Sequence, residues 1–392
     1  MPLLPADGRF LERSLELAEL AAAFACPNPT VGCVLAIQEN VQGEGAHFFA
    51  ARDHAEIAAL KAASAAHHEV RGATAYVTLE PCSHHGRTGP CADALIAAGV
   101  RRCVVATVDP NPLVRGQGIA KLRAAGVDVL VLDPESPLVI RARRLNDAFA
   151  FSIQHGRPFV TLKAAVSLDG RIAPPSEIRT AREPFWLTGP AARADVAQLR
   201  HTSDALLTGI GTVLADDPQL TDRTSLPRRR PLLRVVLDSH LRTPVASRLV
   251  QGAADDLLIV CDRDANHALQ GALEQHRLEV VRIQDLSRPQ SLARVLDLLQ
   301  QRGIRSVLTE GGSALNGALL GAGLVDRVVL YYADRELGPE GLPFARGFPS
   351  PYLLQERLTR QERTSLPNGQ TEDVRVTGYL HDPWQDLGDS LR

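Results

Sequence analysis

Residues 54–82 read HAEIAALKAASAAHHEVRGATAYVTLEPC. Within them, Ala55–Ala66 is built almost wholly from strong helix formers, and Ala75–Leu79 is a short apolar run suited to a buried strand. The same helix–strand unit recurs on both sides. Upstream, Leu11–Ala25 carries apolar residues at helical spacing, Cys26-Pro27-Asn28-Pro29 stops it, and Val31–Ala36 reads as another strand. Downstream, Ala92–Ala98 reads as a helix closed by Gly99, and Val104–Val108 as a strand. Ile119–Ala125 and Val127–Leu132 form one more helix–strand pair. This alternation predicts an α/β sheet covered by helices.

His155-Gly156-Arg157-Pro158 interrupts the pattern, which then resumes. Strands are expected at Phe159–Val166, Ala205–Thr208, Leu233–Leu237, Leu257–Val260, Ser306–Leu308 and Val328–Tyr332. Helices are expected at Ala191–Leu199, Leu292–Arg302 and Ser313–Leu320. The predicted organisation is a first domain over 1–150, a second over 157–382, and a loose tail over 383–392. Arg228-Arg229-Arg230, bracketed by Pro227 and Pro231, reads as a solvated loop.

The length of 392 residues fits two to three domains at roughly 150 residues each. Lys plus Arg number 43 against 45 Asp plus Glu, so no basic footprint for nucleic acid or anionic membrane is present. No apolar run approaches the ~20 residues that span a bilayer, and the opening MPLLPADGRF lacks the regions of a signal peptide. A cytoplasmic protein is expected. Its six cysteines do not make a disulfide framework in that setting. Cys33, Cys103 and Cys261 lie in apolar runs and read as core residues.

Cys82 and Cys91 keep different company. His54 opens a helix, Pro81-Cys82 follows a strand, and Cys91 starts the next helix. One imidazole and two thiolates make three ligands for a tetrahedral Zn²⁺, with the fourth position left for water. Such a water ionises near neutral pH and becomes a nucleophile. Glu56, two residues from His54, can stand beside the metal and carry a proton from the water to a departing amine. The combination of His-x-Glu with Pro-Cys is the pattern of zinc deaminases, here with eight residues between the cysteines. A closed structural zinc site is the alternative, and it would take its fourth ligand from His84 or His85.

The stretches PNPTVGCV (27–34), GEGAH (43–47), HAE (54–56), VTLEPCSHHGRTGPC (77–91), LIAAGV (95–100) and DPNP (109–112) resemble the deaminase half of the bifunctional riboflavin-biosynthesis deaminase–reductases. The resemblance runs in order through residues 10–150. It implies a cytidine-deaminase-like three-layer domain in which His54, Cys82 and Cys91 hold zinc and Glu56 is catalytic. Its implied substrate is a diaminopyrimidinone carrying a ribosylamino phosphate, which loses its 2-amino group as ammonia. Asn28, His47, His84 and Arg87 are the implied substrate contacts.

In the second half, Thr309-Glu310-Gly311-Gly312-Ser313 follows a strand and opens a helix. Backbone N–H groups and the positive dipole end there suit a phosphate, although simple capping by Ser313 would explain the same residues. Gly209-Ile210-Gly211-Thr212 is not a dinucleotide fingerprint, because its sixth position is Leu214. The stretches LKAAVSLDGRIA (162–173), FWLTGPAARADVAQLR (185–200), DALLTGIGTVLADDPQLTDR (204–223), RVVLDS (234–239) and LTEGGSALNGALL (308–320) resemble the reductase half of the same family. A dihydrofolate-reductase-like α/β domain using NADPH follows from that resemblance. The implied cofactor contacts are Val166, Trp186, Thr212, Asp216, Ser239, Gly312, Ser313, Ala314, Leu315, Asn316, Gly317 and Ala318. The implied substrate contacts are Arg200, Leu220, Arg223 and Glu310, with both arginines on the phosphate. Lys163 and Asp216 are candidates for handling the proton that accompanies hydride transfer.

One position departs from the family pattern. Pro184 stands where a substrate-touching Ser is usual, and proline has no side-chain donor. The alternative to a two-step riboflavin-pathway enzyme is therefore a deaminase whose reductase-like domain is weak or inactive and serves as a dimerisation module. A homo-oligomer acting on small molecules, away from nucleic acid and membrane, is expected in either case.

Overall fold

In the computed structural model, residues 4–84, 89–175, 177, 185–286, 288, 290–348 and 350–385 are described. The chain forms two compact units, Met1–Gly156 with Pro383–Arg392, and Arg157–Asp382.

The first unit runs α1 (Pro5–Ala25), β1 (Gly32–Ile37), β2 (Asn40–Ala46), α2 (Ala55–Ala65), β3 (Thr74–Leu79) and α3 (Cys91–Ala97). It continues with β4 (Arg102–Thr107), α4 (Gln117–Ala124), β5 (Asp128–Val131), α5 (Pro137–Leu145) and α6 (Asp147–His155). Its sheet has the order β2-β1-β3-β4-β5, with β1 antiparallel to β2 and β3 and the remaining pairs parallel. Both faces are covered, so the three central strands β1, β3 and β4 are almost wholly buried and successive residues feed opposite cores. Cys33, Leu35, Val77, Cys103 and Val105 pack with Ala59, Leu95, Ile119 and Leu122 on one face. Val34, Ala36, Tyr76, Val104 and Ala106 pack with Phe10, Leu11, Leu15 and Val139 on the other. The three layers are thereby complete. α2 lies hard against β2: a Cβ added at Gly45 would stand 2.3 Å from the Ala55 carbonyl oxygen. That close approach sets the position of the α2 N-terminus, and with it His54 and Glu56.

The second unit runs β6 (Phe159–Ser167), β7 (Arg171–Ala173), α7 (Pro190–His201), β8 (Ala205–Gly209), α8 (Ile210–Asp216), β9 (Leu233–Leu237), α9 (Arg248–Gln251) and β10 (Leu257–Asp262). α10 (His267–Glu274), β11 (Glu279–Ile283), α11 (Gln290–Gln301), β12 (Ser306–Thr309), α12 (Ser313–Gly321) and β13 (Arg327–Ala333) follow. β14 (Leu342–Pro343), α13 (Pro351–Gln355), β15 (Thr359–Asn368) and β16 (Thr371–Tyr379) complete it. The nine-stranded sheet has the order β11-β10-β9-β8-β12-β6-β13-β16-β15. β16 pairs antiparallel with both neighbours, and every other pair in the sheet is parallel. β12 returns late in the chain to lie between β8 and β6. Strand order reverses there, and the loops leaving the carboxyl ends of β8 and β12 open a crevice of the kind in which α/β sheets bind ligands.

Two expectations are corrected. Trp384, placed in a loose tail, is 4% exposed and donates its indole N–H to Asp147 Oδ1 at 2.9 Å. Burial of a large ring with its one donor satisfied outweighs the polar composition around it. The arginine run is not simply solvated: Arg228 donates to Asp222 and to the Ser203 carbonyl, and Arg230 to Asp204.

Candidate active sites

The first site assembles at the N-terminus of α2. His54 is the N-cap residue, Cys82 follows β3, and Cys91 begins α3. His54 Nδ1 lies 3.5 Å from Cys82 Sγ and 3.3 Å from Cys91 Sγ, and the three donor atoms lie within 4.8 Å of one another. The Cys91 backbone N–H also points at Cys82 Sγ, at 3.3 Å. The Cys82 thiol is pulled well below its ordinary range by its hydrogen bond with Cys91 and by the neighbouring imidazole. Glu56, in the first turn of α2, is 3% exposed, and burial pushes its carboxyl up to about 7.

His54, Glu56 and Cys82 line a cavity of about 360 Å³. Asn28, His47 and His84 line it, as expected. His47 Nδ1 meets the Asp53 carbonyl at 2.7 Å, so Nδ1 carries the proton and Nε2 accepts from the Asn28 amide at 3.0 Å. Burial lowers the His47 pKa, which keeps the ring neutral in that role. His84 stands outside the three-donor cluster. Arg87 and His85 lie outside the described residues. Sequence reasoning missed Asp109 and Asn111, which also line the cavity, although DPNP had been singled out as a motif.

The second site lies in the crevice beside β12, a cavity of about 400 Å³. Lys163, Thr212, Asp216, Glu310, Gly312, Ser313, Ala314 and Leu315 all reach its wall. Gly312 is the N-cap of α12, and among the described residues no side chain caps that helix and the buried Ser313 hydroxyl has no hydrogen-bond partner. The capping explanation of Ser313 is thereby excluded. Lys163 Nζ stands 3.5 Å from Glu310 Oε2. Arg200 grips the same carboxylate through Nε at 2.6 Å and Nη2 at 3.0 Å, and gives Nη1 to the Thr221 carbonyl at 2.8 Å. Burial alone would raise the Glu310 carboxyl, but the Arg200 and Lys163 cations override it and hold it at about 2.

Several of the implied contacts do not line this cavity. Asn316 is fully buried with its amide on the Phe344 carbonyl, and a Cβ at Gly317 would stand 2.0 Å from the Arg346 carbonyl oxygen. Those two residues pack α12 against the 344–346 segment, and Ala318 beside them is likewise off the cavity wall. Val166 and Leu220 are buried in hydrophobic cores. Trp186 and Ser239 also stand off this wall. Arg200 is committed to Glu310 and does not stand free as half of a phosphate clamp. Arg223 has no ion pair among the described residues; it lies 5.9 Å from the exposed Trp186 ring, which Arg193 also covers at 4.8 Å. Pro184 lies outside the described residues.

The model of the RibD C-terminal domain matches residues 158–365, and that of the cytidine and deoxycytidylate deaminase zinc-binding region matches residues 5–107. Riboflavin biosynthesis protein RibD of Escherichia coli is 40% identical over 348 residues, covering 85% of this chain and 89% of that protein. The chain belongs to the RibD family of riboflavin biosynthesis proteins. Two solved structures agree along their length. Acinetobacter baumannii RibD is 35% identical with a TM-score of 0.75, covering 95% of this chain and 98% of that one. A diaminohydroxyphosphoribosylaminopyrimidine deaminase/5-amino-6-(5-phosphoribosylamino)uracil reductase from Thermotoga maritima is 30% identical with a TM-score of 0.78, covering 95% and 99%.

Membership in the RibD family makes this a bifunctional enzyme, a deaminase domain followed by a pyrimidine reductase domain. Zinc serves the first half and NADPH the second. The residues present fit both groups. Bonds of about 2.3 Å to sulfur and about 2.0–2.1 Å to nitrogen at tetrahedral angles put donor atoms roughly 3.6 Å apart, close to the His54–Cys separations. The unpartnered Ser313 hydroxyl and the free first-turn N–H groups of α12 suit a pyrophosphate. No helix among the described residues is long and apolar enough to cross a membrane.

Proposed function

We propose that the chain deaminates 2,5-diamino-6-(5-phosphoribosylamino)pyrimidin-4-one and then reduces the ribosyl group of the product to ribityl. The observation that carries this reading is the His54–Cys82–Cys91 cluster with buried Glu56 beside it, facing a cavity, in a chain whose second cavity joins Lys163 and Glu310 to a phosphate-ready helix. Zinc, when bound by His54, Cys82 and Cys91, supplies Lewis acidity that makes water nucleophilic near neutral pH. Water oxygen bonds to the ring carbon as the exocyclic C–N bond breaks. Glu56 takes the water's proton and gives it to the departing ammonia. Asn28 and His47, locked in one tautomer, orient the pyrimidine, and His84 lies on the same wall.

In the second half NADPH supplies a hydride for the sugar C1 of the ring-opened imine. Thr212, Asp216, Ser313 and the α12 N-terminus hold the cofactor in this reading. Lys163, whose Nζ stands 3.5 Å from Glu310 Oε2, donates the accompanying proton. Arg200 positions Glu310, while Arg223 takes the substrate phosphate. The enzyme is read as a cytoplasmic homo-oligomer acting on small molecules, in keeping with its balanced charge.

The test supplies the diaminopyrimidinone phosphate to the full chain with and without NADPH and identifies the products. Ammonia and the ribosylamino product are expected without NADPH, and the ribitylamino product with it. Ammonia release with no NADPH oxidation would select the inactive-reductase alternative; no ammonia would reject the reading.

Arg223→Ala is expected to raise KM for the phosphorylated substrate and to lose ~1.5–3 kcal/mol, the scale of a hydrogen bond to a charged group. NADPH affinity should hold, and a dephosphorylated substrate should respond little. Equal responses of the two substrates would remove Arg223 from the phosphate.

A further inference from the structure

Glu80 is a buried carboxylate on the wall of the deaminase cavity, and the reading above gives it no role. It is 3% exposed, lies two residues before Cys82, and has no ion pair among the described residues. Both oxygens are taken by backbone. Oε2 accepts from Asp109 N at 3.2 Å and Gly116 N at 2.9 Å; Oε1 accepts from Gly118 N at 2.9 Å and Ile119 N at 3.2 Å. Its own N–H donates to the Thr107 carbonyl at 2.9 Å. The segment so gripped supplies Asp109, Asn111 and Val114 to the wall of the deaminase cavity. Glu80 and that segment also touch the metal-binding turn: a Cβ at Gly118 would lie 1.9 Å from the Pro81 carbonyl oxygen.

A simple helix cap would need only the bonds from Gly118 and Ile119, in the first turn of α4. The bonds from Asp109 and Gly116 lie outside that helix, at the start and end of the loop that carries Asn111. One carboxylate thus closes the loop at both ends and joins it to the chain leading into Cys82. Four N–H donors on a buried anion give a geometry that a neutral side chain cannot reproduce.

We propose that Glu80 is a positioning residue of the deaminase, which holds the Asp109–Ile119 loop so that Asp109 and Asn111 meet the pyrimidine in fixed register with the metal-binding turn. The proposal rests on the deaminase reading above. It predicts a specific kinetic signature. Glu80→Gln keeps the shape but replaces one acceptor oxygen by an amide that faces N–H groups. With zinc content at the parental level and assays run well below the melting temperature, KM for deamination should rise at least tenfold and kcat should change less than threefold. Asn111→Ala should raise KM in the parent protein, and at least fivefold of that penalty should vanish in the Glu80→Gln background, because the loop has already lost its register.

A lowered melting temperature with KM within twofold of the parent would overturn the proposal and leave Glu80 a helix cap. Fully multiplicative KM penalties would overturn it too. If Glu80→Gln does not fold, Glu80→Asp takes its place: it keeps the charge but is too short to grip both ends of the loop. The same KM rise and coupling are expected, and an unchanged KM overturns the proposal. A parent protein that releases no ammonia would instead reject the deaminase reading itself, so the two failures are distinguishable.

Discussion

Glu56→Ala is expected to keep its zinc and to lose ammonia release by at least ~10²-fold, the usual scale of a positioned acid–base group. Glu56 stands in the first turn of α2, two residues from His54, and is not one of the three clustered donors. Its removal therefore takes away the proton carrier without taking a ligand. Of the other carboxylates on the cavity wall, Glu80 spends both oxygens on backbone N–H groups and Asp109 accepts from Asn111 N through Oδ1. Zinc content and ammonia release, measured on the same sample, check this. Substantial deamination at full zinc occupancy would overturn the assignment. Reduction of pre-deaminated substrate should survive, because Lys163, Glu310 and the α12 N-terminus belong to the other unit.

Cys82→Ser and Cys91→Ser are each expected to lose most of the zinc, abolish ammonia release and lower the melting temperature of the first unit. Two protein ligands cannot replace three, and an alcohol does not ionise as a thiol does. The cost extends beyond catalysis because metal binding is linked to folding. Cys91 is fully buried at the start of α3 and Cys82 sits on the chain leaving β3, so a bound metal would tie together two ends that otherwise meet through packing and the bonds from Ala92 N–H and Cys91 N–H to Cys82. Calorimetry with zinc analysis tests the claim: the transition of the first unit should move down while that of the reductase unit stays. A chelator applied to the parent protein should reproduce the effect. Full zinc retention in either serine variant would show that the cluster is not the metal site.

The three clustered donors were legible in the chain because each sits at a place that local sequence defines. His54 precedes a strong helix former, Cys82 follows an apolar strand behind Pro81, and Cys91 opens the next helix. The apolar strands were equally legible, since two-sided burial leaves continuous runs. β15 was not: its residues Thr359–Gln361 and Glu362–Arg363 are exposed, so no core pattern marks it. What the chain could not reveal was pairing between distant segments. Leu79 pairs with Thr107 in parallel β3 and β4, and only that register carries the Asp109–Ile119 loop to Glu80 and the cavity. Arg200 shows the same limit. A guanidinium in sequence announces an anionic partner, but its partner here is Glu310, 110 residues away, reached because β12 inserts between β8 and β6. Trp384 finds Asp147 across 237 residues. Residue type and short-range period thus determined the elements, the metal chemistry and the family. The partner of each charge, and the loops that wall each cavity, were decided by strand order and register, which arise from contacts that no local stretch encodes.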